Sequence, residues 1–342
     1  MKRIFLLSCI VALGASAGWA ATITNTTYHL GRTLQIGGEG GWDFLSVDEA
    51  SQHMFVSHAT QVDVIDLDSG KRVATIHGTD GVHGIAIASA VGKGFITCGK
   101  LNSVLVFDLK TFAVWARVPT GLGPDAVMYD SATNRVFAMN GKGQSATVID
   151  ATTNEVVATI PLGGKPEAVM SIGKNIAFVN LEDKDAVARI DTQEAKVTHT
   201  WKLAPCKGPT SMARHREVNR MFIGCGNDLM VVMDMTTGKV VGQAPIGHGV
   251  DAAAFDKGKG LIFQATGDGK LTVIHEDSPD SYSVAQTVTT QPGAKTVTIN
   301  GKNGNLYLPV ADYGPAPQPT TENPAPKKPI LPNTFRVLEI VP

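Results

Sequence analysis

Short apolar runs recur along the chain, each bounded by Gly, Asn, Asp, Ser or Thr. Five of them end on aspartate: VDVID at Asp66, VLVFD at Asp108, ATVID at Asp150, VARID at Asp191 and VVMD at Asp234, at intervals of 42, 42, 41 and 43 residues. LTVIH ends 41 residues further on at His275, and FRVLE ends at Glu339 after a long insertion. Val- and Ile-rich runs between turn-forming residues predict strands joined by hairpins. No run of helical period separates them.

Each run sits in a larger unit, clearest in the third copy. PDAVMYD predicts a first strand over 124–130, RVFAMN a second over 135–140, ATVID a third over 146–150 and EVVATIPLG a fourth over 155–163. Four antiparallel strands in roughly 42 residues make one propeller blade. First strands are predicted to begin near Asp43, His83, Asp125, Glu167, Thr210, Asp251 and Lys295, which gives seven blades. HLGRTLQIGG over 29–38 reads as a fourth strand that precedes the first blade, and FRVLEIV over 335–341 as a third strand with nothing after it. Each end lacks what the other supplies, so the two should complete one blade and close the ring. Closure removes the free sheet edges that would otherwise recruit other chains. The fold class expected is all-β, a seven-bladed propeller of four-stranded antiparallel blades.

The motifs RVFAMN, ATVID and EVVATIPLGG, with LIFQATGDGKLTVIH and HMFVSHATQVDVID as more divergent copies, resemble the YVTN-repeat β-propeller family, including its YncE-like exported bacterial members. The resemblance extends over nearly all of the chain after residue 20. It implies a propeller scaffold with a binding role, and a Pro-rich excursion from the final blade is similar to a habit of the YncE-like proteins. No copy spells YVTN itself.

The first twenty residues read as a secretory signal. Lys2 and Arg3 form a positive start, 4–13 a short apolar core, and Gly18-Trp19-Ala20 a cleavage site before Ala21. The apolar run is too short to span a bilayer. The expected organisation is therefore a signal peptide over 1–20 and one propeller domain over 21–342, in the periplasm or outside the cell. No later segment is long and apolar enough to cross a membrane, and a monomer is expected. Hydrophobic residues at 43% supply a sizeable core. The 30 basic and 31 acidic residues nearly balance, so the basic excess of a nucleic-acid binder is missing.

The repeated aspartate has a structural explanation, since Asp opens a tight turn by accepting a hydrogen bond from backbone two residues on. Candidate chemistry lies elsewhere. In a propeller the first strands line the central channel, and ligands commonly sit at its mouth, which licenses a location only. The repeat places Asp43, His83, Asp125, Glu167, Thr210, Asp251 and Lys295 around that mouth. Four are acidic, so Asp43, Asp125, Glu167 and Asp251 are candidate oxygen ligands for Ca²⁺, or for a cationic ligand. The alternative is that they bond to neighbouring blades and channel water. No resident cofactor is otherwise implied. The ends of the second strands give an outer set, His58, Cys98, Asn140, Asn180, Cys225 and Thr266. His58, Cys98 and His83 would suit a soft metal if they met.

Cys206 and Cys225 fall in one blade on the same face and are a candidate disulfide, leaving Cys98 free. The segment 312–333 holds seven prolines and interrupts the last blade between its second and third strands. It reads as a loop over the mouth, either a lid or docking arm or a passive excursion.

No GxSxG, HExxH, GxGxxG or P-loop pattern has supporting context. The leading functional expectation is an exported, non-enzymatic binding or scaffold protein that recognises a small molecule, peptide or protein on the mouth face. A second is a Ca²⁺-assisted, lactonase-like hydrolase with His83 as base. A third, single-stranded nucleic-acid binding, runs against the acidic mouth and the charge balance.

Overall fold

The computed structural model describes residues 26–342 apart from 322 and 325. The expected signal peptide, and the Cys9 in it, lie outside the described residues. Within them, 28 strands form seven separate four-stranded antiparallel sheets. Blade 1 is β2 (Trp42–Asp48), β3 (His53–His58), β4 (Gln61–Asp66) and β5 (Lys71–His77). Blades 2 to 6 follow in register, with first strands β6 (Val82–Ala88), β10 (Pro124–Asp130), β14 (Pro166–Gly173), β18 (Pro209–His215) and β22 (Val250–Asp256). Blade 7 joins the chain ends, in the order β1 (His29–Gln35), β28 (Arg336–Val341), β27 (Leu306–Val310) and β26 (Thr298–Ile299). Its first strand is only two residues long, so Lys295 sits ahead of the strand rather than in it, unlike its counterparts.

The burial pattern follows from blade stacking. Second and third strands are covered on both faces by neighbouring blades, and they read as continuous apolar runs: Val136, Phe137, Ala138 and Met139 in β11 (Arg135–Asn140) are all fully buried. Fourth strands face solvent, and Val114, Trp115, Val156, Val157 and Val284 are exposed there. One aromatic occupies the same second-strand position in every blade: Phe55, Phe95, Phe137, Phe178, Phe222, Phe263 and Tyr307, each buried to 1% exposure or less. These rings fill space between neighbouring blades; Phe55 of blade 1 and Phe107 of blade 2 have ring centres 5.3 Å apart.

The hairpins follow the aspartate logic. Asp108 accepts from the N–H groups of Lys110 (2.9 Å) and Thr111 (2.6 Å), Asp150 from Thr152 (2.8 Å) and Thr153 (2.9 Å), and Asp234 from Thr236 (3.0 Å) and Thr237 (2.8 Å). Asp191 does the same with Gln193 and Glu194. These bonds to the charged form hold the Asp108, Asp150 and Asp234 carboxyls below the ordinary carboxylate range, against burial in the last two.

Closure rests on β1 pairing antiparallel with β28, from His29 opposite Val341 to Gln35 opposite Arg336. The sequence spacing sets Glu339 at the place of the repeated aspartate, but the register puts it two residues earlier, opposite Tyr307 as Val148 is opposite Phe137, and there it clasps the seam. It accepts from Arg32 Nε (2.6 Å), Tyr307 Oη (3.1 Å) and Asn305 Nδ2 (3.0 Å). Tyr28 is buried against Phe263, its ring 4.9 Å away, and its backbone is bonded both ways by Gln286, so the N-terminal strand is also tied to blade 6.

The ring of inter-blade aromatics yields a stability prediction. Phe137→Ala should lower the unfolding free energy by about 3–5 kcal/mol, while Val284→Ala on an exposed fourth strand should shift it by less than about 0.5 kcal/mol. Denaturant melts of the two variants check this, and equal losses would contradict the packing account.

Candidate functional site at the channel mouth

Six of the seven mouth residues are aimed by a repeated backbone irregularity; Lys295, ahead of its short strand, is the exception. In β2, β6, β10 and β14 the register slips between Trp42 and Leu45, Val82 and Ile85, Pro124 and Val127, and Pro166 and Val169. Shorter slips follow Pro209 in β18 and Val250 in β22. Asp43, His83, Asp125, Glu167, Thr210 and Asp251 all lie in these bulges, where a strand bends and re-aims a side chain. Hydroxyls on one blade hold the next blade's carbonyls. Thr296 Oγ1 donates to the Asp43 carbonyl (2.7 Å), Thr210 Oγ1 to Val250 (2.8 Å), and Thr97 Oγ1 to Asp125. Asn180, from the outer set, donates to the Ser211 carbonyl (3.0 Å). Four backbone carbonyls along the channel are thereby satisfied across blade boundaries.

Charge is unevenly distributed around the ring. His83 Nδ1 lies 2.6 Å from Asp43 and 3.7 Å from Asp125, and these three groups converge within 4.8 Å. Across the mouth Lys295 pairs with Asp251 at 2.7 Å. Lys165 pairs with Glu167 (2.6 Å) and also with Glu182 (2.5 Å). The oxygen set Asp43, Asp125, Glu167 and Asp251 therefore does not gather as one cation cage. Glu167 and Asp251 each face a lysine, and the third ligand beside Asp43 and Asp125 is His83.

Burial pushes the Asp125 carboxyl up to about 6, with the Asp43 and Asp251 charges adding to the effect and His83 opposing it. Burial also raises Glu167 and Asp251. One ammonium cannot neutralise two carboxylates, and Glu167 is the more buried of the two on Lys165. Burial opposes protonation of His83, yet the Asp43 hydrogen bond and the surrounding carboxylates raise it above the ordinary imidazole value. Lys295 is raised likewise, its carboxylate neighbours outweighing burial.

Below the ring the channel narrows to small apolar residues, Gly84, Ala126, Ala168 and Ala252 with Phe44, around a cavity of about 160 Å³. Beside the ring, over blades 2 to 4, lies an open hollow of about 790 Å³. Its floor carries His83, Asp125 and four glycines, Gly81, Gly99, Gly123 and Gly141, and its rim carries Lys100, Lys142, Gln144, Lys165 and Asp183.

The glycines belong to a repeat that motif scanning misses. Two residues before each ring position stands glycine: Gly41, Gly81, Gly123, Gly208, Gly249 and Gly293, with Lys165 the exception in blade 4. The carbonyl at this position accepts from the residue just beyond the second strand: Gly99 N–H to Gly81 (2.8 Å), Gly141 to Gly123 (2.8 Å), Gly226 to Gly208 (3.0 Å) and Gly267 to Gly249 (2.9 Å). In blade 4 the same bond joins Glu182 to Lys165 (2.9 Å), so both glycine positions there carry the charged pair that reaches Glu167.

The Pro-rich segment is rooted at blades 7 and 1. Its base is a short antiparallel ladder, with Tyr313 bridged to Ile330, Gly314 N–H bonded to Pro329 (2.8 Å) and Leu331 N–H to Asp312 (2.8 Å). Tyr313 leans on Trp42 at 6.1 Å between ring centres, and Asn333 N–H bonds to the Gly38 carbonyl at 2.7 Å. The loop thus roots at blades 7 and 1, leaving the hollow over blades 2 to 4 open.

The outer set is used inside the blades. His58 Nδ1 is 2.8 Å from Asp63 and its ring packs on Phe335 at 4.3 Å. Cys98 is a buried free thiol. Asn140 donates to Ser145 and Thr147 (3.0 Å each), and Thr266 to Asp268 (2.6 Å). His58 and Cys98 do not join His83: among the described residues, Asp43, His83 and Asp125 form the one convergent set of metal-ligating groups. Cys206 and Cys225 are bonded, their Cα atoms 5.4 Å apart, and tie the loop before β18 to the end of β19 (Arg220–Cys225).

No family model matches the chain. No curated protein matches it either. Solved structures match it as propellers. The WD40 repeats of RRP9 superpose with a TM-score of 0.75 at 10% identity, over 90% of this chain and 97% of that one. U3-55K gives 0.73 at 10% identity over the same shares. The hydrazine synthase of Kuenenia stuttgartiensis gives 0.69 at 13%, over 84% of this chain and 95% of that chain. The chain is a seven-bladed β-propeller whose structural neighbours include WD40 proteins, and at these identities the likeness speaks for the fold alone.

The mouth charges make stability pH-dependent with a definite sign. A carboxyl whose pKa is raised by folding binds protons more readily in the folded state, so stability falls as pH rises through that window, for Asp125 from 3.8 towards about 6. His83, raised by its partners, contributes stability below its ordinary value that is lost as pH rises through the folded value. The hairpin aspartates act in the opposite sense and lose stability as pH falls below the carboxylate range. Asp125→Asn should raise unfolding free energy at pH 8 by roughly 1–3 kcal/mol, with the gain shrinking to near zero by about pH 4. Melting curves across that range check it, and a gain independent of pH would contradict it.

Proposed function

We propose that this chain is an exported, non-enzymatic binding propeller of the YVTN-repeat type, which recognises a small molecule, peptide or protein on its mouth face. The observation that carries the reading is the concentration of under-neutralised carboxylates beside an open hollow. Asp125 and Glu167 are kept partly buried with their carboxyls displaced upward, at a cost to stability. Charged groups arranged against stability mark sites kept for binding. The hollow, about 790 Å³, is of the size that takes a small ligand. No helix among the described residues is long and apolar enough to cross a membrane. Export rests on the signal-like start of the sequence, a positive n-region followed by a short apolar core.

The reading makes two expectations. Expressed from its first residue in a Gram-negative host, the chain should fractionate with the periplasm and begin at Ala21 by N-terminal sequencing; a cytoplasmic protein that retains Met1 would contradict export. A thermal-shift screen of metals, small molecules and peptides should return compounds whose stabilisation is lost in Lys165→Gly, which restores the repeat's own residue. Hits that act equally on that variant and on Asp125→Asn would place binding away from the mouth.

A second reading is favoured by the convergence of Asp43, His83 and Asp125 within 4.8 Å. Two carboxylates and an imidazole suit a divalent transition metal better than Ca²⁺, which prefers an all-oxygen shell. There the metal would polarise a carbonyl of a lactone-like substrate. Stoichiometric metal in the purified protein, lost in His83→Ala together with a fall in melting temperature, would favour this reading over simple binding.

A further inference from the structure

The position two residues past the second strand is equivalent in six blades and carries Thr60, Lys100, Lys142, Asp183, Asn227 and Asp268. In blades 4 and 5 its side chain has a structural task. Asp183 accepts from the Lys165 backbone N–H (2.6 Å), and Asn227 from that of Lys207 (3.0 Å). In blade 6 the Asp268 carboxylate is engaged by Thr266 (2.6 Å) and Lys270 (2.6 Å). A lysine cannot accept a backbone N–H, so Lys100 and Lys142 cannot perform this task. Among the described residues neither has a carboxylate within ion-pairing distance, although most lysines of this face, Lys165, Lys184, Lys207, Lys270 and Lys295, have one.

Their stems are accommodated by glycine. A Cβ on Gly81 would stand 2.7 Å from Lys100 Cγ, and one on Gly123 would stand 3.1 Å from Lys142 Cγ. Both glycines have positive φ, 67° and 61°. The two lysines therefore lie along bare backbone, on adjacent blades, with their ammonium groups uncommitted at the rim of one hollow. At the inner wall of the same hollow stand His83 and Asp125, with Asp43 behind His83. The three acid–base groups there carry two carboxylates against one imidazole, an excess of negative charge.

The hollow is thus bipolar, with free cations outside and a surplus carboxylate inside. We propose that it binds a zwitterionic small molecule, an amino acid or short peptide, with its ammonium on Asp125, the carboxylate left over once Asp43 is paired with His83, and its carboxylate between Lys100 and Lys142. This rests on the reading of the mouth as a binding face and names the ligand class for it. A purely anionic ligand would meet the inner carboxylates, and a purely cationic one would leave both rim lysines unpaired. A zwitterion satisfies both ends of the hollow at once.

The test uses alanyl-alanine, its N-acetyl derivative and its C-terminal amide, titrated into the purified protein at pH 7.5 and followed by amide NMR. Alanyl-alanine should shift the resonances of Gly99 and Gly141 saturably, and capping either end should weaken binding at least about tenfold, the loss of one charged hydrogen bond. The double variant Lys100→Gln, Lys142→Gln alters two exposed side chains without structural partners. It should weaken alanyl-alanine by a similar factor and leave the amide unchanged. Equal binding of all three peptides, no shift in the hollow, or a double variant that binds as the parent does would each overturn the proposal. If alanyl-alanine fails while another compound of the mouth screen acts there, the ligand class falls and the binding face stands; if neither acts, both fall.

Discussion

Seven-fold convergence is the constraint on which the rest of this molecule depends. Blades packed around an axis bring the same position of each first strand to one small circle, so whatever the repeat places there must coexist at close range. Here four of the seven are carboxylic acids, one is a histidine and one a lysine. The fold cannot separate them, because bulges pinned by inter-blade hydroxyl bonds fix where each side chain points. The result is partial compensation: Lys295 meets Asp251, Lys165 meets Glu167, His83 meets Asp43, and Asp125 is left with its carboxyl pushed upward. Packing energy from the aromatic between every pair of blades makes that strain tolerable.

The functional reading follows from how the symmetry is broken rather than from the symmetry. Blade 4 replaces two glycines of the repeat with Lys165 and Glu182, blades 2 and 3 carry rim lysines that cap no backbone, and blade 7 sends out the Pro-rich loop. Each departure lies on the same face. The opposite reading, that ring charges only satisfy one another, accounts for Asp251 with Lys295. It does not account for Asp125, or for Lys100 and Lys142.

Much of the fold was legible in the sequence. The third-strand spacing gave the repeat length and the count of first strands gave seven blades, and the third copy's first two strands run over the residues expected, 124–130 and 135–140. Closure was readable because 29–38 and 335–341 each lacked a partner in sequence, and β1 does pair with β28. The short first strand of blade 7 was not readable, because Lys295 keeps the ring spacing while the strand itself shrinks to Thr298–Ile299. At the site, repeat spacing located the seven ring residues but not their pairings. Lys165 lies two residues from Glu167 and Glu182 a further fifteen along, and only the blade's bulge brings all three together. The rim lysines were missed because an isolated exposed lysine looks like solubility; they stand out only beside Asp183 and Asn227 at the same position in the other blades.

The central claim is that the mouth holds a carboxyl group at odds with the stability of the fold. Side-chain carboxyl ¹³C titration of the aspartates by NMR, with Asp125 assigned through Asp125→Asn, reads this directly. A midpoint for Asp125 near 6 is expected, with the hairpin aspartates below the ordinary carboxylate value. A midpoint near 4 would mean that Asp125 is fully compensated where it stands, and the mouth would then be ordinary structural packing.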